Sequence, residues 1–209
     1  MSKATSPHDT PMMRQYLEAK AEHPDAVVLM RMGDFYEAFL GDAEELARIC
    51  GVALTSRNKD SPTPTMMAGV PHHSLQTHLP KLLAAGKRVA VVDQLEDPAQ
   101  AKGLVKRGLT RVITPGTLVD ESGLDAAAPN FLVALTALDG TVGISALDVS
   151  TGRFTVEDAG DETQLALVLA RLAPAELLLP QALRDAEDTD ARLARLLPVV
   201  PPVAAMQAW

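Results

Sequence analysis

Cysteine is almost missing from this chain. Cys50 is the only one in 209 residues, which excludes an intrachain disulfide framework and a cysteine-built zinc site. No apolar run approaches the roughly 20 residues of a membrane-spanning helix. The first ten residues, MSKATSPHDT, lack the apolar stretch of a secretory signal. These absences lead to the expectation of a cytoplasmic protein. The phosphate-loop pattern G-x-x-x-x-G-K-S/T occurs nowhere, so no motif for holding a nucleotide triphosphate is present. Aromatics make up only 3% of the chain, so any cluster of them stands out.

What is present describes an ordinary globular chain. Apolar types make up 47% and charged types 22%, enough for one or two domains with real cores. The net charge of −8 argues against a uniformly basic nucleic-acid binder, but it is unevenly spread. Residues 1–115 hold 14 Lys and Arg against 13 Asp and Glu, a net of +1. Residues 116–209 hold 5 against 14, a net of −9. Only the first half can offer a cationic stripe to a polyanion.

The break coincides with Thr114-Pro115-Gly116-Thr117 and the acidic, small-residue run that follows it, a turn and then a linker. The chain is accordingly read as a tail over 1–10, a first domain over 11–115, a linker over 116–129 and a second domain over 130–209. In the first domain, Thr10 caps and Pro11 opens a helix over 11–22. A strand follows over 26–32, then the Gly33-Asp34 turn. A helix is predicted over 35–50, with Asp34 as its cap and Tyr36, Leu40, Ala43, Ala47 and Cys50 on one stripe. Beyond it come a strand over 52–55, a polar loop over 57–65 and a helix over 73–85 broken or kinked by Pro80. A strand over 89–93, a short helix over 99–104 and a strand over 111–113 complete the domain. The second domain reads as three strands over 131–137, 142–149 and 153–156, the first two turning at Asp139-Gly140. A helix over 162–172, a parallel strand over 175–179, a helix over 182–197 and a Pro-rich tail follow.

The aromatic cluster is Phe35-Tyr36-Glu37-Ala38-Phe39, three of the chain's seven aromatics within five positions. Helical packing explains Tyr36 and accommodates Phe39. Phe35 in an exposed first turn is a flat ring free to wedge into a base stack, with Glu37 able to reach the edge of the displaced base. Phosphates nearby raise a carboxyl pKa, and a protonated Glu can donate to an acceptor such as purine N7. His72, His73 and His78 invite a metal reading. No cysteine or carboxylate stands at matching spacing, so surface or capped histidines are expected instead.

Six blocks carry a resemblance: TPMMRQY (10–16), RMGDFYE (31–37), MAGVP (67–71), VAVVDQLEDP (89–98), VITPGT (112–117) and LDVSTGRF (147–154). In order and spacing they resemble the MutS DNA mismatch-repair family over residues 10–180. The resemblance implies a mixed α/β fold: a mixed-sheet mismatch-recognition domain, then an RNase H-like connector that looks cut short. It assigns Phe35 to stacking on a mispaired or unpaired base and Glu37 to hydrogen-bonding it. The implied partner is double-stranded DNA with mismatches or small loops, the protein being nucleoid-associated when bound. Backbone contacts are expected from Arg57, Lys59, Lys106, Arg107 and Arg111, with Arg57 foremost. Met32 and Met67 are candidates to flank the wedge, against ordinary core roles. Full-length members use ATP and Mg2+ in an ATPase domain; this chain is expected to need no cofactor, to be no enzyme and to be a monomer.

Two rivals accompany this reading. The acidic second half is a candidate docking module for other mismatch-repair proteins. Asp148, at the end of a strand in an RNase H-like pattern, is the candidate centre of a metal-dependent nuclease, although a single carboxylate is not a two-metal site.

Overall fold

The computed structural model describes residues 10–58, 64–97, 100–101, 103–118, 129–138 and 140–206. Two compact units divide the chain, residues 1–113 and 114–209. Each holds one mixed sheet with helices, as expected. No helix among the described residues is long and apolar enough to cross a membrane.

The first unit begins with α1 (Pro11–Glu22), where the Thr10 hydroxyl accepts from the Met13 N–H at 3.3 Å and Pro11 stands at N1. The strands are β1 (Ala26–Met32), β2 (Phe35–Phe39), β3 (Thr55–Arg57), β4 (Thr65–Pro71), β5 (Arg88–Gln94) and β6 (Arg107–Ile113). Helices α2 (Leu40–Cys50) and α3 (Leu75–Ala84) lie between them in sequence. The sheet order is β3-β4-β2-β1-β5-β6, with β1 parallel to β5 and every other pair antiparallel.

The expected helix over 35–50 is the main correction. Its first five residues form β2, and the helix starts only at Leu40. Gly33 at φ +57 opens a two-residue hairpin between β1 and β2, a position suited to glycine. Asp34 lies in that turn and caps no helix. Tyr36 and Ala38 are buried on one face of the sheet, while Phe39 is buried on the other; that needs a period of two. From Leu40 onward the helical stripe holds, with Ala43, Leu46 and Cys50 buried and Gly51 left-handed at the C-cap.

Smaller corrections follow the same logic. The strand expected over 52–55 lies at Thr55–Arg57. Residues 65–71, given no strand from sequence, form β4 because they pair with both β2 and β3. The helix expected over 73–85 splits into a 3-10 turn (His72–Ser74) and α3, which runs through Pro80 with Leu75, Leu79, Leu82 and Leu83 buried. Of the stretch expected to be helical over 99–104, the described residues carry no helix. The strand expected at 111–113 begins four residues earlier, because β6 pairs with β5 from Val89 to Gln94.

On one sheet face α1 covers a core of Met12, Met13, Tyr16, Val28, Met30, Phe39, Ala90 and Val92. A polar node fastens it. The Tyr16 ring meets Phe39 edge-on at 5.1 Å. Its hydroxyl accepts from the Phe39 N–H at 3.3 Å and donates to Asp42 at 2.6 Å. Asp42 also accepts from Lys20 at 2.8 Å and from the Val28 N–H at 3.0 Å.

The second unit opens with a 3-10 turn (Pro115–Thr117) closed by a capping box between Thr114 and Thr117. Gly116 is needed there for proximity. A Cβ would lie 2.7 Å from Glu176 Cβ and 2.8 Å from Leu132 Cδ1, while its N–H donates to Glu176 Oε2 at 3.0 Å. The sheet is β11-β10-β7-β8-β9, built from β7 (Phe131–Leu138), β8 (Thr141–Asp148), β9 (Arg153–Ala159), β10 (Glu176–Pro180) and β11 (Val203–Met206). Strands β7, β8 and β9 are antiparallel; β10 runs parallel to β7 and β11. Its core joins Val133, Ile144, Leu177 and Leu179 to Leu165, Leu169 and Leu193 of α4 (Glu162–Leu172) and α6 (Thr189–Leu196).

The helix expected over 182–197 is two helices, α5 (Gln181–Arg184) and α6. The acid-rich stretch Asp185-Ala186-Glu187-Asp188 separates them, and the break lets Leu183 pack on the same core as Leu193. The tail read as unfinished contributes β11, which the Pro-rich approach had hidden. Trp209 and residues 119–128 of the expected linker lie outside the described residues.

Tyr16→Phe leaves Asp42 and the Phe39 N–H each short of a buried partner. It is expected to destabilise the first unit by about 1–3 kcal/mol, read as a lower urea midpoint with an unchanged slope.

Candidate nucleic-acid interface

The site is the bare end of the sheet face that α1 covers. Cross-strand pairing assigns its members. Met32 faces Phe35 and Met30 faces Glu37 between β1 and β2. Pro71 faces Phe35, Gly69 faces Glu37 and Met67 faces Phe39 between β2 and β4. Thr55 faces Met67 and Arg57 faces Thr65 one strand further out. Paired residues share a side of the sheet, so Phe35, Glu37, Met32, Met67, Gly69 and Arg57 lie on the same side as Phe39. Met32 and Met67 are half-buried against the α1 core; Phe35 is 45% exposed.

The opposite side holds the strand in place. The Tyr36 hydroxyl donates to Asp93 Oδ1 at 2.5 Å, and the Thr110 hydroxyl donates to Asp93 Oδ2 at 2.6 Å. The Arg31 guanidinium lies over the Tyr36 ring at 5.6 Å. At the turn, the His72 N–H donates to the Asp34 carbonyl at 2.8 Å. Phe35 is thus an exposed ring on a strand braced from behind, at its tip and along both edges.

Glu37 is the electrostatic anomaly. Its Oε2 is shielded from water and has no hydrogen-bond partner among the described residues. Burial raises its pKa above the ordinary carboxylate value, and the charges of Arg57 and Arg107 oppose that rise. Burial prevails. The expected source of a raised pKa was bound phosphate; the bare protein already supplies one.

The five cationic candidates separate. Arg57 is exposed on the outer strand of the Glu37 side. Lys106 is exposed, though its N–H donates to Glu96. Arg107 is half-buried, donating to the carbonyls of Arg31 and Val105 at 2.8 and 3.0 Å and to Gln15 at 3.3 Å. It stitches β6 to β1 and α1. A bulge between Val91 and Val92 shifts the register, so that Arg111 pairs with Val91 on the Tyr36 side of the sheet. Lys59 lies outside the described residues. Sequence reasoning missed Gly69 and Pro71 on β4. Finding them required knowing that MAGVP is the strand beside β2.

The other chemical candidates have structural partners. His72 and His73 meet edge-on at 5.7 Å, and His72 Nδ1 lies 3.2 Å from the Asp34 carbonyl. His78 has its pKa lowered by burial first and by Lys81 second. Asp148 accepts from the Asn130 N–H and from the N–H and hydroxyl of Ser150 through Oδ1, and from the Thr151 hydroxyl through Oδ2. The Ser150 and Thr151 hydroxyls hold its pKa down at about 2. Asp148 therefore organises the β8–β9 turn. Among the described residues no group of three or more His, Cys, Asp or Glu is placed to hold a metal ion.

Comparison with known proteins agrees with this architecture. The sequence model of the family described as MutS domain I matches residues 10–122, and that of MutS domain II matches residues 130–209. Curated relatives named DNA mismatch repair protein MutS include one from Desulfatibacillum aliphaticivorans, 45% identical over 181 residues, covering 87% of this chain and 20% of that protein. One from Streptococcus sanguinis is 47% identical over 179 residues, covering 86% and 21%. One from Desulfosudis oleivorans is 42% identical over 193 residues, covering 92% and 22%. The chain spans about a fifth of the length of these relatives.

The raised Glu37 pKa fixes the sign of a stability effect. The folded chain holds this proton more tightly than the unfolded chain, so stability falls as pH rises from the unfolded value through the folded one. Glu37→Gln removes the buried charge. It is expected to melt slightly above the wild type at pH 7, with the gap closing as the pH falls towards 4, in a calorimetric pH series.

Proposed function

The chain belongs to the MutS family, over that family's first and second domains, and from this premise we propose that it binds mismatched or looped duplex DNA through the bare end of the first sheet. One observation carries the reading: Phe35 stands exposed on a braced strand, with a buried, unpartnered carboxylate oxygen on the same side two residues away. A ring wedged between base steps costs a few kcal/mol of unstacking and kinks the duplex. A mispair has already lost part of its pairing and stacking, so deforming it costs less. Ring stacking contributes about 1–3 kcal/mol per base and tolerates any base. The protein then senses weakness in the duplex and need not read a sequence.

Glu37 supplies the polar half. Protonated, the form its burial favours, it donates to a ring nitrogen of the displaced base; ionised, it accepts from an exocyclic amine. Either contact gives Oε2 the partner it lacks. Arg57, at the rim of the same side, reaches a phosphate. Arg107 acts from within, fixing β6 and offsetting the Glu37 charge. The ATP and Mg2+ implied for full-length members have no phosphate-loop motif to receive them in these 209 residues, so no step of this reading runs through either.

A second reading, docking of a protein partner by the second unit, is favoured by Phe154 and Val156. They are 61% and 68% exposed on the edge strand β9 of a strongly acidic half.

With so few cations, binding is expected to be weak and to weaken further with salt. Fluorescence anisotropy at two salt concentrations, with a G·T or one-base-bulge duplex against its matched control, tests the proposal. Phe35→Ala is expected to abolish the preference for the defective duplex and to leave matched-duplex affinity nearly unchanged. Equal affinity for both duplexes, unaltered by Phe35→Ala, would overturn the reading and leave partner docking as the better account.

A further inference from the structure

Phe35 follows directly on the Gly33-Asp34 turn, so the direction of its ring depends on how firmly that turn is held. Both carbonyls of the turn are engaged. The Asp34 carbonyl accepts from the His72 N–H at 2.8 Å, at the end of β4. The Gly33 carbonyl accepts from Arg31 Nε at 2.5 Å. The same guanidinium lies over the Tyr36 ring at 5.6 Å. One side chain thus grips the turn before Phe35 and the ring after it. Arg31 pairs with Tyr36 across β1 and β2, while Met32 pairs with Phe35. The arginine therefore leaves the sheet on the side opposite to Phe35 and Glu37. Its own carbonyl accepts from Arg107 Nε at 2.8 Å, which holds the backbone at the same point. The exposed Asp34 carboxylate lies 4.0 Å from Arg31 Nη2, a contact that water screens.

We propose that Arg31 is a positioning residue for Phe35, a cation that holds the wedge from behind and makes no contact with DNA. Its part in recognition rests on the DNA-binding reading above. Arginine suits the task where lysine does not. A guanidinium is a rigid fork that donates at Nε and also settles over an aromatic ring. An ammonium on a flexible stem makes one of the two contacts at a time. With the clip open, the residues around Phe35 gain backbone freedom. Stacking between base steps must then order them again at each encounter, and that cost is taken from the binding energy.

Arg31→Lys keeps the charge and removes the fork. Two measurements on the 209-residue chain follow. The first needs no DNA: backbone order parameters are obtained from 15N relaxation. In the wild type, residues 33–36 are expected near the value of about 0.85 that marks a rigid backbone. In Arg31→Lys they are expected to fall towards the flexible range, below about 0.6, while β5 stays rigid. A folded variant with unchanged order parameters at 33–36 overturns the proposal, whatever the chain does with DNA. A variant that does not fold makes Arg31 a requirement of the fold as a whole, and overturns it too.

The second measurement compares mismatched and matched duplexes over a salt series. In Arg31→Lys the preference is expected to fall by about tenfold, the fold-change that fixing about one residue's backbone represents, with matched-duplex affinity unchanged. Arg31→Met, which removes the charge as well, is expected to leave the salt dependence of matched-duplex binding as it is. A salt slope shallower by about 0.9, the signature of one lost phosphate contact, assigns Arg31 to the DNA backbone and overturns the proposal. A preference that survives a loosened turn overturns the part in recognition. A wild type without preference, together with a silent Phe35→Ala, condemns the DNA-binding reading instead and leaves the relaxation data to decide Arg31 alone.

Discussion

The Tyr16 hydroxyl accepts from the Phe39 N–H and aims its own proton at Asp42, while its ring meets the Phe39 ring edge-on. Burial, and then the Asp42 charge, keep that hydroxyl protonated, so it stays a donor wherever the protein is folded. This contact decides what β2 can do. The strand is five residues long, so its ends stand roughly 13 Å apart. One end is locked beneath α1. The other carries Phe35 past the edge of the helix into solvent. A large exposed ring is tolerable because the same strand pays its burial through Tyr36, Ala38 and Phe39, all at 6% exposure or less.

Bracing from behind adds the stiffness that the proposed wedge requires. A ring on a mobile loop would lose its stacking energy to the ordering of the loop. Here the Tyr36–Asp93–Thr110 chain ties β2 to β5 and β6 across the far side of the sheet, and the bulge at Val91/Val92 places Thr110 to reach Asp93. Alternation along one strand therefore divides the work. Tyr36, Ala38 and Phe39 anchor, which leaves Phe35 and Glu37 for the proposed ligand.

The residues of the candidate site could be named from sequence before their geometry could. Phe35, Glu37 and Arg57 could be singled out by residue type and by resemblance, and most element positions followed from caps and periodicity. The secondary structure around Phe35 did not. Tyr36 falls in phase with Leu40, Ala43, Ala47 and Cys50, so a helical stripe extends backwards into what is a strand. Five residues are too few for alternation to outvote it, and only pairing with β1 and β4, a non-local fact, settles the matter. The same limit hid β4, whose half-buried residues show no clear alternation. It also hid the two sides of the sheet, and with them the separation of Arg107 from Arg111. A register shift of one residue at a bulge moves a side chain through the sheet, and nothing in a local window marks it.

The carboxylates shielded from water make a final contrast. Asp42 accepts from a tyrosine, a lysine and a backbone N–H. Asp148 accepts from two hydroxyls and two backbone N–H groups, and Glu176 accepts from the Gly116 N–H. Each of these has partners inside the fold, as buried charge generally must. Glu37 alone among the four keeps a shielded oxygen without one among the described residues, and the arginines that soften the cost act on it through space. That oxygen lies on the same side of the sheet as the exposed Phe35 ring, where the proposed DNA partner would complete it.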